Sequence, residues 1–338
     1  MSDGPAILVT GGAGYIGSHC CRALTAASYH PVVYDNFSTG HRDFVTGSLV
    51  TGDVLDKAAL AGAFAQHDIV AVMHFAASSL VGESVIDPQK YYLNNVVGTL
   101  SLLDAMREAG CNRLVFSSTG AVYGNADSKA LSENYPCAPI NPYGASKWMI
   151  ERILADYRSA YGLGSFCLRY FNAGGADASG EIGELRENET HLIPRAMMAL
   201  QGHVGDFAVF GDDYDTPDGT AIRDYIHVTD LAAAHVLALK LLMQGHSGGA
   251  FNLGTGTGFS VREILTAIAA ETGRKVPHVV KPRRSGDPTY LVADPTAARD
   301  ALKFRPAHSD LATIIRTAWA WHKKAHPMKT DKPLSPAT

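Results

Sequence analysis

Tyr143 and Lys147 stand four residues apart in the stretch Tyr143-Gly144-Ala145-Ser146-Lys147, directly after Asn141-Pro142. A proline suits the entry of a helix and not its interior. Pro142 therefore predicts a helix that starts there and runs through Trp148, Ile150, Ile153 and Leu154. On such a helix one turn stacks the phenol and the ammonium on the same face. A tyrosine with a pKa near ~10 is a poor base at neutral pH, but a neighbouring ammonium favours its phenolate and lowers that value. The pair can then move a proton near pH 7. Taken alone, the same spacing also fits an ordinary surface pair.

A second group of residues is suited to holding a dinucleotide. Gly11-Gly12-Ala13-Gly14-Tyr15-Ile16-Gly17 follows an apolar run and opens a helical pattern. Glycines there permit a tight turn and let a pyrophosphate approach backbone N–H groups at the helix N-terminus. Asp35 lies at the end of the next apolar run, 18 residues past Gly17. An acid there can accept from a ribose diol and repels a 2′-phosphate, which favours NAD over NADP, with Arg42 downstream as a countervailing cation. Asp53, followed by Val54, can reach the adenine edge or serve as a helix N-cap. The run Phe116-Ser117-Ser118-Thr119-Gly120-Ala121-Val122-Tyr123-Gly124 carries a strand into a hydroxyl-rich turn. Thr119 can donate to a substrate oxygen, although hydroxyl residues at strand ends also cap turns.

These residues need a scaffold that brings strand ends together. Ala6–Thr10, Val32–Tyr34, Leu49–Thr51, Ile69–Met73, Leu114–Ser117 and Ser165–Arg169 read as short buried strands. Helical patterns over 14–27, 57–65, 90–109 and 143–161 lie between them. That alternation predicts an α/β fold, a doubly wound parallel sheet of Rossmann type with a smaller mixed α/β C-terminal lobe. After Phe171-Asn172 the chain turns rich in Gly, Ala and acid and reads as a loop leaving the sheet. Further helices are expected over 192–201, 231–242, 261–272, 295–301 and 311–324, with strands near 207–210, 224–228 and 250–253. The expected division is a dinucleotide-binding domain over 1–171, to which 224–253 returns. A substrate lobe follows from 172–223 and 254–325, and then a loose tail over 326–338.

Composition bounds the partners. The 338 residues are 46% hydrophobic and 18% charged, with a net charge of -4, a pI of about 6.4 and a mean hydropathy of -0.01. No global basic field recruits nucleic acid or an anionic membrane, so any anionic ligand must be held locally. The five cysteines form no C-x-x-C pair, and the histidines no H-E-x-x-H spacing. We expect neither disulfides nor a metal. No apolar run approaches the ~18 to 20 residues of a membrane span, and no leader-like segment opens the chain. A cytoplasmic, unprocessed protein is expected.

In combination, Gly11 to Gly17, Thr119, Tyr143 and Lys147 resemble the extended short-chain dehydrogenase/reductase family. Further stretches resemble its UDP-galactose 4-epimerases: Asp35-Asn36-Phe37-Ser38, His74-Phe75-Ala76-Ala77, Val81-Gly82-Glu83-Ser84, Tyr92 to Thr99, Arg169-Tyr170-Phe171-Asn172, Arg223-Asp224-Tyr225-Ile226-His227-Val228 and Arg283-Arg284-Ser285-Gly286-Asp287. The resemblance spans nearly the whole chain except the tail. It implies that Phe75, Ala76, Ala77, Asn94, Ser117 and Tyr170 border the cofactor together with the glycine loop, Asn36, Asp53 and Val54. It also implies that Asn172, His191, Leu192 and Leu291 border a nucleotide sugar, that Arg223 and Arg284 hold its diphosphate, and that Asp287 takes the uridine ribose. Guanidinium forks suit phosphate, although arginines also serve as surface ion-pair partners.

The implied activity is NAD-dependent interconversion of UDP-glucose and UDP-galactose by C4 oxidation, rotation of a 4-keto intermediate and re-reduction. Tyr143 would be the acid/base, Lys147 would lower its pKa and bind the nicotinamide ribose, and Thr119 would steady the oxygen. Thr119 stands where many relatives have serine, Ser79 where some have lysine and His191 where some have asparagine. Leu291 stands at a sugar-pocket gate that is tyrosine in some members, so N-acetylhexosamine or pentose forms are alternative substrates. A 4,6-dehydratase would carry an Asp-Glu pair where Gly120 and Ala121 stand, and a catalytically silent module would not need Tyr143, Lys147 and Thr119. In relatives, helices like those over 90–109 and 143–161 form a homodimer's four-helix interface.

Overall fold

The computed structural model describes residues 4–126, 130–284 and 287–327. Ser285 and Gly286 of the Arg283–Asp287 motif, and the tail from residue 328, lie outside the described residues. The first strands are β1 (Ala6–Thr10), β2 (His30–Asp35), β3 (Ser48–Thr51), β4 (Ile69–His74), β5 (Arg113–Thr119) and β6 (Gly164–Tyr170). β7 (Asn172–Gly174), β8 (Ala208–Phe210), β9 (Ile222–His227), β10 (Gly248–Leu253), β11 (Gly258–Ser260), β12 (Val279–Lys281) and β13 (Tyr290–Leu291) follow. One seven-stranded sheet has the order β10-β6-β5-β4-β1-β2-β3, with every pair parallel.

A parallel sheet is buried on both faces, which is why its strands read as continuous apolar runs. Ile7 and Val9 pack toward α1 (Tyr15–Ala26) and α8 (Val228–Met243). Leu8 packs toward α2 (Lys57–Gln66), α5 (Gly98–Glu108) and α6 (Pro142–Tyr161). Strand order reverses between β1 and β4, and a crevice opens at such a point beyond the carboxyl ends of the strands.

The pattern over 90–109 predicts one helix, and the backbone is helical from Pro88 to Glu108 with a π segment inside it. α3 (Val81–Ile86) and α4 (Pro88–Tyr91) lead into a π segment (Tyr92–Val97) and then α5. The buried Asn95 lies in the π segment, where its amide accepts from Ser78 N and donates to Ser78 O and Ser146 Oγ. A single π turn is a common way to admit such an inward polar side chain.

A second sheet, β11-β9-β13 with β7 also paired to β9, lies over α7 (Leu192–Leu200), α9 (Val261–Thr272) and α11 (Leu311–Ala325). The remaining elements are α10 (Thr296–Ala301) and the pair β8/β12. Of the segment expected to return to the large sheet, α8 and β10 do so. Ile222–His227 is instead the central strand of the second sheet. Periodicity reports burial but not which sheet buries the strand.

Candidate active site

Pro142 is at the first position of α6, and Asn141 caps that helix by accepting from Gly144 N at 2.8 Å. Tyr143 and Lys147 are thereby fixed on one face toward the end of β5. The Tyr143 phenol, partly buried, hydrogen-bonds the Thr119 side chain. Burial pushes the phenol up, while Thr119 and the Arg186 guanidinium pull it back. Lys147 is 3% exposed, donates to Ser117 O at 2.8 Å and lies 4.8 Å from the Phe116 ring. Burial lowers Lys147 to about 7, opposed by the Glu151 carboxylate. Burial thus opposes the Lys147 charge, while Thr119 and Arg186 favour the Tyr143 phenolate. Ser117 Oγ hydrogen-bonds Tyr170 OH on the neighbouring strand.

The glycine loop between β1 and α1 fits a pyrophosphate. Gly11 has φ +71°, and a Cβ there would sit 2.7 Å from Ala76 N. A Cβ on Gly17 would lie 2.1 Å from Gly11 O, so only glycine lets the helix start this close to the strand. Gly14 caps α1 without any side-chain bond, and the first turn holds no acid. Its N–H groups face the site uncontested by protein anions. Asp35 accepts from Ala13 N at 2.9 Å and Phe37 N at 2.8 Å, tying the loop to the end of β2. Asn36 donates to Asp53 at 2.8 Å, Asp53 also accepts from Leu55 N, and Val54 is buried against Gly98. Arg42 is stacked 4.2 Å over the Phe37 ring.

The N–H groups of Phe75 and Ala76 both donate to Thr10 O, which sets the segment through Ala77 beside the loop. Tyr15 OH donates to Gly175 O at 2.6 Å, and Ile16 packs into the core beneath. Asn94 donates to Asn95 at 3.0 Å, so the deeply buried amide of this pair is Asn95.

A second cluster is set by β9. Arg223 and Leu291 are register partners on β9 and β13, and Arg223 lies 3.9 Å from Asp287. Burial lowers the Arg223 pKa, which Asp287 resists, so an added anion would be welcome there. Asn172, the first residue of β7, donates to Asp224 O on the neighbouring β9 at 3.1 Å. The Arg284 guanidinium lies 3.9 Å over the Phe210 ring. Its neighbour Arg283 pairs with Asp213 at 2.7 Å.

His191 precedes Leu192, the first residue of α7, and its Nδ1 sits 2.9 Å from Glu189 and 3.0 Å from Glu184. Burial pushes His191 down, but the two carboxylates outweigh it and raise the ring to about 10. Its partial exposure screens part of that pairing. Burial raises Glu184, yet His191 and Arg186 hold it down to about 2. Glu184, Glu189 and His191 bring one ligand atom each within 4.8 Å of one another. The His191 ring pairs with both carboxylates as an ion-paired cluster.

Several residues escape sequence reasoning. Arg186, Glu184 and Glu189 lie in the irregular stretch where no periodicity marks them. Asp224, in a strand, is a loop organiser that accepts from Thr255 N and Oγ1, Gly256 N and Ala293 N. Glu151 had a usable signal, since it extends the Tyr143/Lys147 spacing by a further turn.

Comparison with known proteins agrees with this geometry. A family model described as NAD dependent epimerase/dehydratase family matches residues 7–254. The UDP-glucose 4-epimerase of Rhizobium leguminosarum bv. trifolii is 52% identical over 324 residues, 96% of this chain and 99% of that protein. The crystal structure of UDP-glucose 4-epimerase from Brucella ovis in complex with NAD superposes with a TM-score of 0.92 at 55% identity, covering 93% of this chain and 97% of that one. A UDP-glucose-4-epimerase from Stenotrophomonas maltophila with bound NAD and formylated UDP-arabinopyranose gives 0.92 at 40% identity, covering 95% and 98%.

Proposed function

The chain belongs to the NAD dependent epimerase/dehydratase family, and from that premise we propose that it interconverts UDP-glucose and UDP-galactose with bound NAD. The observation that carries the reading is the convergence of Thr119, Tyr143 and Lys147 at the end of β5. NAD, when bound, would supply a hydride acceptor and donor for C4 of the sugar. The glycine loop over 11–17 would hold its pyrophosphate, and Asp35 its ribose, with Asn36, Asp53, Val54, Phe75, Ala76, Ala77, Asn94 and Tyr170 around it.

Tyr143 as phenolate accepts the proton of the sugar 4-hydroxyl and returns it to the same oxygen once the 4-keto sugar has turned to offer the opposite face of C4 for re-reduction. Thr119 steadies the same oxygen, and Lys147 binds the nicotinamide ribose through its Nζ. Arg223 and Arg284 would anchor the diphosphate while Asn172, His191, Leu192 and Leu291 contact the sugar end more loosely. Such an arrangement suits an intermediate that rotates without escaping. Asp287 would take the uridine ribose.

Among the described residues no helix is long and apolar enough to cross a membrane. A cytoplasmic location is part of the proposal. We further propose a homodimer through the helices around Val81–Val97 and α6. Val81, Val85, Ile86, Leu93, Val97 and Met149 are each at least 44% exposed there, more apolar surface than a monomer usually leaves bare. The domain division proposed is 1–171 with 228–253 for the cofactor, and the rest through 325 for the substrate.

The direct test is to incubate purified protein with UDP-glucose, without added cofactor, and follow the anomeric signals by NMR. Galactose signals support this reading, a 4-keto-6-deoxy product would indicate a dehydratase, and an unchanged spectrum a silent module.

A further inference from the structure

Tyr143, Lys147 and Glu151 lie at successive turns of α6 and meet three consecutive residues at the end of β5. Tyr143 bonds the Thr119 side chain, Lys147 donates to Ser117 O, and Glu151 accepts from Ser118 Oγ. Glu151 does not stand alone. Arg169, on β6 beside it, donates from Nε to its two carboxylate oxygens at 2.9 and 3.2 Å. Arg169 also donates to Tyr123 OH at 2.9 Å, and that hydroxyl donates to Asn252 on β10 at 2.7 Å. Glu151 and Arg169 are 6% and 4% exposed.

The catalytic steps above make no use of this pair. A dry ion pair is often no more stabilising than apolar residues of equal volume, so stability alone is a poor account of its presence. Its location supplies a better one.

We propose that the Glu151–Arg169 pair is a positioning element of the reaction centre, in which Glu151 sustains the ammonium of Lys147 and Arg169 limits how strongly it does so. The proposal rests on the reading that Lys147 serves Tyr143.

The surroundings of Lys147 support this. His74 on β4 faces it but is buried and, with Lys147 near, held down to about 3, so it is neutral. From β5 it meets the Phe116 ring and the Ser117 carbonyl. From β6, Tyr170 and Cys167 are kept protonated by burial. Asn95 of the π segment, bonded to Ser146 next to Lys147, is uncharged. The charged groups facing Lys147 among the described residues are thus Glu151 and, behind it, Arg169. Interactions of unit charges in such a dry region are far stronger than in water. Burial already draws the Lys147 pKa down toward neutrality, so a modest field decides whether it carries its proton at working pH.

The two charges act in opposite directions, which makes the test specific. In Arg169→Gln, Glu151 faces Lys147 without its counter-ion, and Lys147 should titrate roughly one pH unit higher. In Glu151→Gln/Arg169→Gln, where no buried charge is left unpaired, the nearer anion is lost, and Lys147 should titrate roughly one unit lower. Lys147 is followed by NMR in protein labelled with carbon-13 at lysine Cε, with Lys147→Met to assign its signal. In the NAD-bound enzyme the alkaline limb of the pH profile of kcat should move with it.

A merely structural pair would lower stability and turnover while leaving the titration in place. An unmoved Lys147 titration in folded variants overturns the proposal. If Arg169→Gln does not accumulate, the double variant decides alone. If the wild type converts no UDP-sugar, the functional reading fails, while the NMR titration still decides this one.

Discussion

A phenol that gives up its proton inside protein faces the cost of burying its own anion, and on the proposed mechanism Tyr143 must meet that cost. Burial pushes it up, and Thr119 and Arg186 oppose this. Removing the hydroxyl leaves the ring packing intact but takes away the proton carrier. We expect Tyr143→Phe to lower kcat by about 10²- to 10⁴-fold with little change in KM, measured by steady-state kinetics on UDP-galactose. Retained near-wild-type turnover would remove Tyr143 from the mechanism.

Lys147 allows a thermodynamic prediction with a definite sign. Its folded value of about 7 lies below its ordinary value of 10.5. Between those limits the unfolded chain holds more protons than the folded one, so this residue's contribution to stability rises with pH across that window. Lys147→Met should remove that rise in NAD-free protein. Its stability advantage over the wild type should be largest near pH 7 and shrink toward pH 10, as read from urea midpoints. A constant difference across the window would contradict the burial of a titrating ammonium. Of the residues at this scale, Tyr143, Lys147, Thr119 and Asp35 are legible in sequence, because each sits beside a regular element. Arg186 is not, because an irregular loop carries it and no local pattern says where a loop returns.

At the scale of elements, α6 is what turns a four-residue spacing into a site. Asn141 caps it, and Pro142 and Tyr143 open its first turn. We expect Asn141→Ala to cost about 1 kcal/mol of stability. It should also lower kcat more than Asn141→Asp, because fraying of the first turn moves Tyr143 away from Thr119. Calorimetry and kinetics on the two variants check this, and equal kcat in both would detach the cap from the chemistry. Apolar residues predict a helix over 90–109, and the backbone is helical there; what pattern does not reveal is the π segment in which Asn95 meets Ser78 and Ser146.

Among the described residues the strands form a seven-stranded sheet, a four-stranded sheet and the pair β8/β12, with the glycine loop at the first and Arg223 on the second. On the proposed reading, a substrate held at its diphosphate by the second sheet would present its sugar to residues of the first. The exposed apolar faces of α3, the π segment and α6 lie on the first sheet's side. If they cover one another between two copies, Ile86→Lys with Val85→Lys should convert a dimer to monomer in analytical ultracentrifugation. Ile86 and Val85 are 86% and 65% exposed, so the substitutions disturb little within one chain. A wild-type monomer at micromolar concentration would dispose of the dimer.

The sequence by itself determined the parallel sheet, the glycine loop, Asp35 and the Tyr143/Lys147 helix, because periodicity, turn chemistry and helical spacing are local properties. Only the tertiary structure decided that β9 belongs to the second sheet, that Asn95 is the buried amide of its pair and that Arg186 acts on Tyr143. It also decided that Glu151 meets Arg169 beneath Lys147. Each of these depends on which distant segment comes to lie opposite, and a buried charge takes its pKa from that neighbour and not from its place in the chain.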